Sequence, residues 1–322
     1  MGDRIEKIET PNPAAARTLT TDAGVGASSS TIMLRTEDNS APSPASRWLK
    51  STEWLAQHFR DPDVVIVDGS YFLPTQKRDA RAEYLSGHLP GAVFFDIEAV
   101  SDHSTDLPHM LPGPKQFGEA VGALGIGDGD TVVVYDSVGL YSAARVWWTF
   151  RVFGAQAAFI LDGGLPKWKA EARPLVTGEV ERVRKPFHAE MNVGAVAMLA
   201  DVRLAVADGS VQIVDARSAE RFAGKAPEPR EGLRSGHMPG AFNVPSDRVL
   251  KNGSLAPPAQ IEAAFTAAGV DLDKPIITSC GSGVTAAILT LALESIGKKP
   301  QGLYDGSWSE WGSRPDLPVE RG

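Results

Sequence analysis

Cys280 is the only cysteine in the chain, and it stands where a thiol can become a nucleophile. It opens the segment Cys280-Gly281-Ser282-Gly283-Val284-Thr285, between an apolar, β-like run at 275–279 and a helix-like run at 286–296. A strand, a short glycine-bearing turn and a helix start form a cup of backbone N–H groups with the thiol at its rim. Such a cup stabilises negative charge on sulfur or beside it. The thiolate is the reactive form. A free cysteine of pKa ~8.5 is only ~3% ionised at pH 7, and lowering that pKa by ~2 units, about 2.7 kcal/mol, makes thiolate the majority species. Most lone cysteines are buried and structural; the loop around this one argues for chemistry instead.

The elements that must position this loop come from an internal repeat. Val64-Val65-Ile66-Val67-Asp68 recurs as Val211-Gln212-Ile213-Val214-Asp215, and Gly87-His88-Leu89-Pro90-Gly91-Ala92 as Gly236-His237-Met238-Pro239-Gly240-Ala241. The run 131–136 lies over 275–280, and Leu161-Asp162-Gly163-Gly164 with Trp168 over Tyr304-Asp305-Gly306-Ser307 with Trp311. The offsets stay between 143 and 149 residues, and four matches in order point to duplication. Each copy alternates short apolar strands with helical patterns, which predicts an α/β fold: two tandem domains, each a parallel sheet with helices on both faces. Reactive groups in such sheets sit in loops after the carboxyl ends of strands, where Cys280 falls.

The expected organisation is a disordered N-terminal extension over 1–47, a first domain over 48–172, a linker over 173–188 and a catalytic domain over 189–322. The extension is rich in Ala, Ser, Thr and Pro, has no apolar core of a signal sequence and carries interspersed acids. The first domain has Asp136 where the second has Cys280, so it is expected to be catalytically silent and to supply one wall of the cleft. The repeated Gly-His-x-Pro-Gly turns assign His88 and His237 a structural role, and Trp168 and Asp162 do the same for their counterparts Trp311 and Asp305.

Composition narrows the function. The 322 residues are 43% hydrophobic and carry a net charge of −8, which argues against nucleic acid or anionic membrane as a general partner. An anionic substrate therefore needs locally placed arginines. One cysteine excludes an intramolecular disulfide, no apolar stretch approaches the ~20 residues of a membrane span, and a cytoplasmic location is expected. One cysteine and scattered histidines lack metal-ligand spacing, so neither a metal nor a cofactor is expected. A cysteine phosphatase would need an arginine six residues after the nucleophile; position 286 is Ala.

These features resemble the tandem-domain rhodaneses over roughly 48–320, and the Cys280–Thr285 loop is similar to that of 3-mercaptopyruvate sulfurtransferases. Supporting segments are Phe94-Phe95-Asp96-Ile97-Glu98, His109-Met110-Leu111-Pro112-Gly113, Gly139-Leu140-Tyr141-Ser142-Ala143, Pro227-Glu228-Pro229-Arg230-Glu231-Gly232 and Tyr304-Asp305-Gly306-Ser307-Trp308. The resemblance implies sulfur transfer from 3-mercaptopyruvate through a Cys280 persulfide to thioredoxin, glutathione, another thiol or cyanide, releasing pyruvate. It also implies that Arg221 and Arg230 bind the donor, that the backbone of Gly281, Gly283, Val284 and Thr285 holds the persulfide, and that Ser282, His109 and Glu98 relay protons. Asp96 is an alternative orienting acid. Thiosulfate-preferring relatives carry cations in the loop, whereas Gly281 and Ser282 are neutral. Thiosulfate:cyanide transfer and a non-enzymatic persulfide carrier are the competing readings.

Overall fold

Twelve strands and ten helices order the chain from residue 46 onward in a computed structural model that describes residues 46–322. All but the last two residues of the expected extension, 1–47, lie outside the described residues. Ser46 is buried, and its hydroxyl meets Ser295 Oγ at 2.6 Å.

The first lobe carries β1 (Leu49–Lys50), α1 (Thr52–His58), β2 (Val64–Asp68), α2 (Ala80–Ser86), β3 (Val93–Phe94), α3 (Pro114–Ala123), β4 (Thr131–Tyr135), α4 (Ser142–Val152), β5 (Ala157–Leu161) and α5 (Gly164–Ala170). The second carries β6 (Val196–Ala197), α6 (Leu199–Asp208), β7 (Gln212–Asp215), α7 (Ala219–Phe222), β8 (Phe242–Asn243), the antiparallel hairpin β9 (Leu250–Lys251) and β10 (Ser254–Leu255), α8 (Pro258–Ala267), β11 (Ile276–Ser279), α9 (Ala286–Ser295), β12 (Gly302–Tyr304) and α10 (Ser307–Trp311). The two parallel sheets have the same order, β1-β5-β4-β2-β3 and β6-β12-β11-β7-β8. Central strands β2 and β4 are near-continuous Val/Ile runs buried on both faces, as helix-covered parallel strands require.

Register aligns the carboxyl ends of the central strands, pairing Asp68 with Tyr135 and Asp215 with Ser279. Asp136 and Cys280 therefore begin loops at the point where the strand order reverses, the place such sheets reserve for ligands. Each loop feeds a helix, α4 or α9, that is apolar nearly all round. Both helices are buried on every side because they pack on each other as well as on their own sheets. One apolar cluster consequently runs through both lobes and contains Cys280.

The repeated histidines serve the backbone. His88 Nδ1 bonds Tyr84 O at 2.9 Å and His237 Nδ1 bonds Phe222 O at 2.8 Å, each ring stacked on the same aromatic residue. Residues 173–188 form no helix or strand and run along the first lobe. Phe187 packs there edge-on to Phe117, whose ring stacks on Phe153 at 4.3 Å. Phe117 is fully buried, so Phe117→Ala should cost about 3–5 kcal/mol of stability by cavity formation. Urea denaturation checks this, and a loss under ~1 kcal/mol would contradict the packing.

Candidate active site

Cys280 is held from behind. Its N–H donates to Ser307 Oγ at 3.2 Å, its carbonyl accepts from Trp308 N at 2.9 Å, and Gly281 O accepts from both the N–H and the hydroxyl of Ser309. These bonds turn the loop carbonyls toward α10. Among the described residues, none accepts a hydrogen bond from the N–H groups of Gly281 through Thr285.

The first lobe displays the same loop filled. The Asp136 carboxylate accepts four backbone N–H bonds, from Val138 and Gly139 on Oδ1 at 2.9 Å each, and from Tyr141 at 2.7 Å and Ala143 at 2.9 Å on Oδ2. Burial pushes this carboxyl up while the four donors pull it down. A strand–loop–helix junction of this shape thus gathers main-chain donors about one anionic group. The repeat maps those donors onto Ser282, Gly283, Thr285 and Ala287, of which Ala287 already donates to Val284 O at 3.3 Å.

The thiol is not at a rim, as the sequence suggests, but buried, with Cys280 1% exposed. The reason is the first lobe. Tyr141 lies close enough that, after burial, the charge of Cys280 is the next influence raising its phenol to about 12. A lobe read separately cannot reveal this cover.

Several expected residues converge here. Arg230 Nη1 donates to Ser282 Oγ at 3.3 Å, and its Nη2 donates to His109 Nε2 at 2.9 Å and reaches Tyr71 OH at 3.5 Å. A guanidinium only donates, so His109 Nε2 accepts and the ring proton sits on Nδ1. Nδ1 faces Glu98 Oε2 at 3.5 Å, within ion-pair reach but without hydrogen-bond geometry. Asp96 is engaged elsewhere, accepting the N–H groups of Glu98 and Ala99 as a turn cap. Ser282, His109 and Glu98 are therefore neighbours but not a continuous chain, because Arg230 stands between the first two.

Arg221 approaches the loop from α7. Its Nη2 bonds Glu228 Oε2 at 2.5 Å and lies 2.9 Å from where a Cβ on Gly281 would be, so the guanidinium is seated against the loop. Glu228 is shared with Arg217, itself paired with Asp215. Val284 contributes backbone alone, its side chain being buried, and Thr285 sits as the cap of α9. A surface cavity of about 640 Å³ lies on the first lobe between Lys115 and His188 and includes none of these residues. Among the described residues, no three His, Cys, Asp or Glu side chains gather to hold a metal ion.

Missed by sequence reasoning are Tyr71, Tyr141 and Arg145. Arg145 was visible in principle: it is a charge in the middle of the largely apolar α4 run, whose other arginine, Arg151, stands in the last turn. It forms a buried ion pair with Asp305, Nη2 to Oδ1 at 2.7 Å. Asp305 is structural, as expected, but its repeat partner Asp162 faces Lys167 near the surface and gives no hint of the cross-lobe bond.

Residues 51–171 and 198–314 each match the rhodanese-like domain, and the chain belongs to that family. It is 48% identical over 277 residues to the 3-mercaptopyruvate sulfurtransferase of Escherichia coli strain K12, covering 86% of this chain and 99% of that one. The human 3-mercaptopyruvate sulfurtransferase is 40% identical over 285 residues, covering 86% and 96% respectively. Among solved structures, that of SseA from E. coli, described as a 3-mercaptopyruvate sulfotransferase, superposes with a TM-score of 0.76 at 46% identity, covering 81% of this chain and 98% of that one.

Burial first, then the charges of Arg230 and Arg145, push His109 down from 6.5 to about 3. The ring should therefore stay neutral across about pH 5–8, where an ordinary histidine titrates. NMR of the labelled imidazole checks this; a midpoint near 6.5 would contradict the geometry.

Proposed function

We propose that this chain is a 3-mercaptopyruvate sulfurtransferase that works through a persulfide on Cys280. The observation that carries the reading is a lone thiol in a main-chain donor cup faced by two guanidinium groups, Arg221 and Arg230. The match in sequence to enzymes of that name over nearly their full length supports it.

The thiolate attacks the sulfur of the donor. A Cys280–sulfur bond forms, the donor carbon–sulfur bond breaks, and its electron pair goes to carbon as the enolate of pyruvate. That carbon gains the proton the donor thiol loses, so the half-reaction needs no outside acid. The outer persulfide sulfur stays anionic in the N–H cup of Gly281, Ser282, Gly283, Val284 and Thr285. An acceptor thiolate such as that of thioredoxin or glutathione, or cyanide, then attacks the outer sulfur and regenerates Cys280. Such a thiol needs a reducing compartment, and we place the protein in the cytoplasm.

Arg230 couples binding to proton transfer. A carboxylate is a stronger partner for a guanidinium than the neutral hydroxyl and imidazole it holds here, since it adds the attraction of opposite full charges and can accept two parallel N–H bonds. The donor carboxylate draws Arg230 away from His109 and Ser282 and neutralises its charge. His109 Nε2 becomes free to accept from Ser282 and more basic, with Nδ1–H directed at Glu98. Glu98 is itself held up by burial, with Arg230 pulling it down.

Intact mass spectrometry after adding 3-mercaptopyruvate should register one added sulfur atom on Cys280 with stoichiometric pyruvate; no gain in mass would overturn the reading. Arg230→Ala should lower kcat/KM for this donor by roughly 10- to 100-fold, the worth of one charge-assisted bond. If kinetics stay unchanged, the carrier reading gains instead. Ser282→Lys should shift relative kcat/KM toward thiosulfate by adding a cation to the loop, measured with both donors side by side.

A further inference from the structure

We propose that Arg145, on the lobe that lacks a nucleophile, is the positioning residue that sets His109 against the cysteine loop. The inference rests on the relay role given to His109 above and extends it to a residue that touches no substrate.

One guanidinium, 2% exposed, bonds three pieces of chain that are distant in sequence. Its Nη2 donates to His109 O at 2.6 Å and to Asp305 Oδ1 at 2.7 Å, and its Nη1 donates to Gly283 O at 3.3 Å. The other carboxylate oxygen of Asp305 accepts from Leu111 N at 2.8 Å. The turn at 109–111 is thus clamped on both sides by the ion pair. It needs a clamp, because His109 has φ of +62°, a region that non-glycine residues seldom occupy. The third contact reaches the loop itself. Gly283 has φ of +77°, and a Cβ there would lie 2.7 Å from Arg145 Nη1, so the guanidinium is seated directly against the turn that follows Cys280 and Ser282. The head group also lies over the Trp148 ring at 4.7 Å, which limits its rotation.

A bond to Asp305 alone would need one edge of the fork and would serve the lobe interface. The bonds to two carbonyls, one beneath the histidine and one beneath the cysteine loop, are what a positioning role requires. Lysine cannot supply them together, since its single ammonium lacks the planar fork. The groups facing His109 are Arg230, Glu98, Tyr71 and Arg145; Arg230 reaches the cysteine loop through the Ser282 hydroxyl, and of the four only Arg145 bonds the backbone of both the histidine and the loop.

The test is a double-mutant cycle. Arg145→Met alone would leave the Asp305 carboxylate buried and unpaired, whereas Arg145→Met with Asp305→Asn removes both charges and is tolerated far better. With 3-mercaptopyruvate as donor, that pair of changes should lower kcat by roughly 10- to 100-fold, the cost of a misplaced catalytic group, with KM nearly constant. In a His109→Ala background the same pair should cost nothing further. Full additivity in that background would overturn the proposal while leaving the relay intact; wild-type kcat in His109→Ala would sink both. Arg145→Lys, which keeps a charge for Asp305, covers a folding failure. Its melting transition should be unmoved while kcat falls, and unchanged kcat would overturn the proposal.

Discussion

The packing of α4 against α9 governs the architecture of the site. Each helix begins where a central strand has just ended, so docking the helices side by side docks the preceding loops side by side as well. One loop carries the cysteine and the other a carboxylate, and the residues around them gather along the same seam. His109, Glu98 and Tyr71 come from one lobe and Ser282, Arg221 and Arg230 from the other. Neither lobe alone has a site. An apolar interface, held together by burial of Val, Leu, Ile and Trp side chains, thereby sets distances between polar groups that never share an element.

The two loops are one physical device in two states. In the first lobe a carboxylate is built in and satisfies four main-chain donors permanently. In the second, the side chain is a sulfur that reaches less far and leaves the donors to whatever anion the reaction creates. Folding stability and reactivity are separated accordingly. The filled loop adds to the rigidity of the seam, and the N–H groups of Gly281 through Thr285 in the open one have no protein acceptor among the described residues. The Glu228 carboxylate, bonded to both Arg217 and Arg221, keeps the nearby positive charge from being excessive while leaving Arg221 directed at Gly281.

Much of this was legible in the residues. The alternation of Val/Ile runs with helical patterns and the order of the repeat lead directly to the two parallel sheets, and the glycine-bearing loop after 275–279 marks the cysteine. What the chain did not disclose is whatever depends on one lobe lying over the other. Cys280 looked peripheral because its cover, including Tyr141, lies about 140 residues away in sequence. Asp305 was compared with Asp162 inside the repeat, where the two share a position but not a partner. The choice between Asp96 and Glu98 was likewise undecidable from spacing, since it turns on a local cap that consumes the first carboxylate. Repeats report what each copy does for itself and are silent on what the copies do for each other.

The single thiol, buried at the seam, also has a bearing on chemical durability. Peroxide converts exposed thiolates stepwise to sulfenic, sulfinic and sulfonic acids, and proteins commonly halt that descent by closing a disulfide with a neighbour. This chain has no second thiol to close one. Steric seclusion takes over the protective part, slowing bulky or diffusing oxidants. In the proposed cycle the terminal atom of the persulfide would stand ~2 Å beyond the cysteine sulfur, and so nearer to slender nucleophiles. The reactive state advertises itself, and the resting state hides.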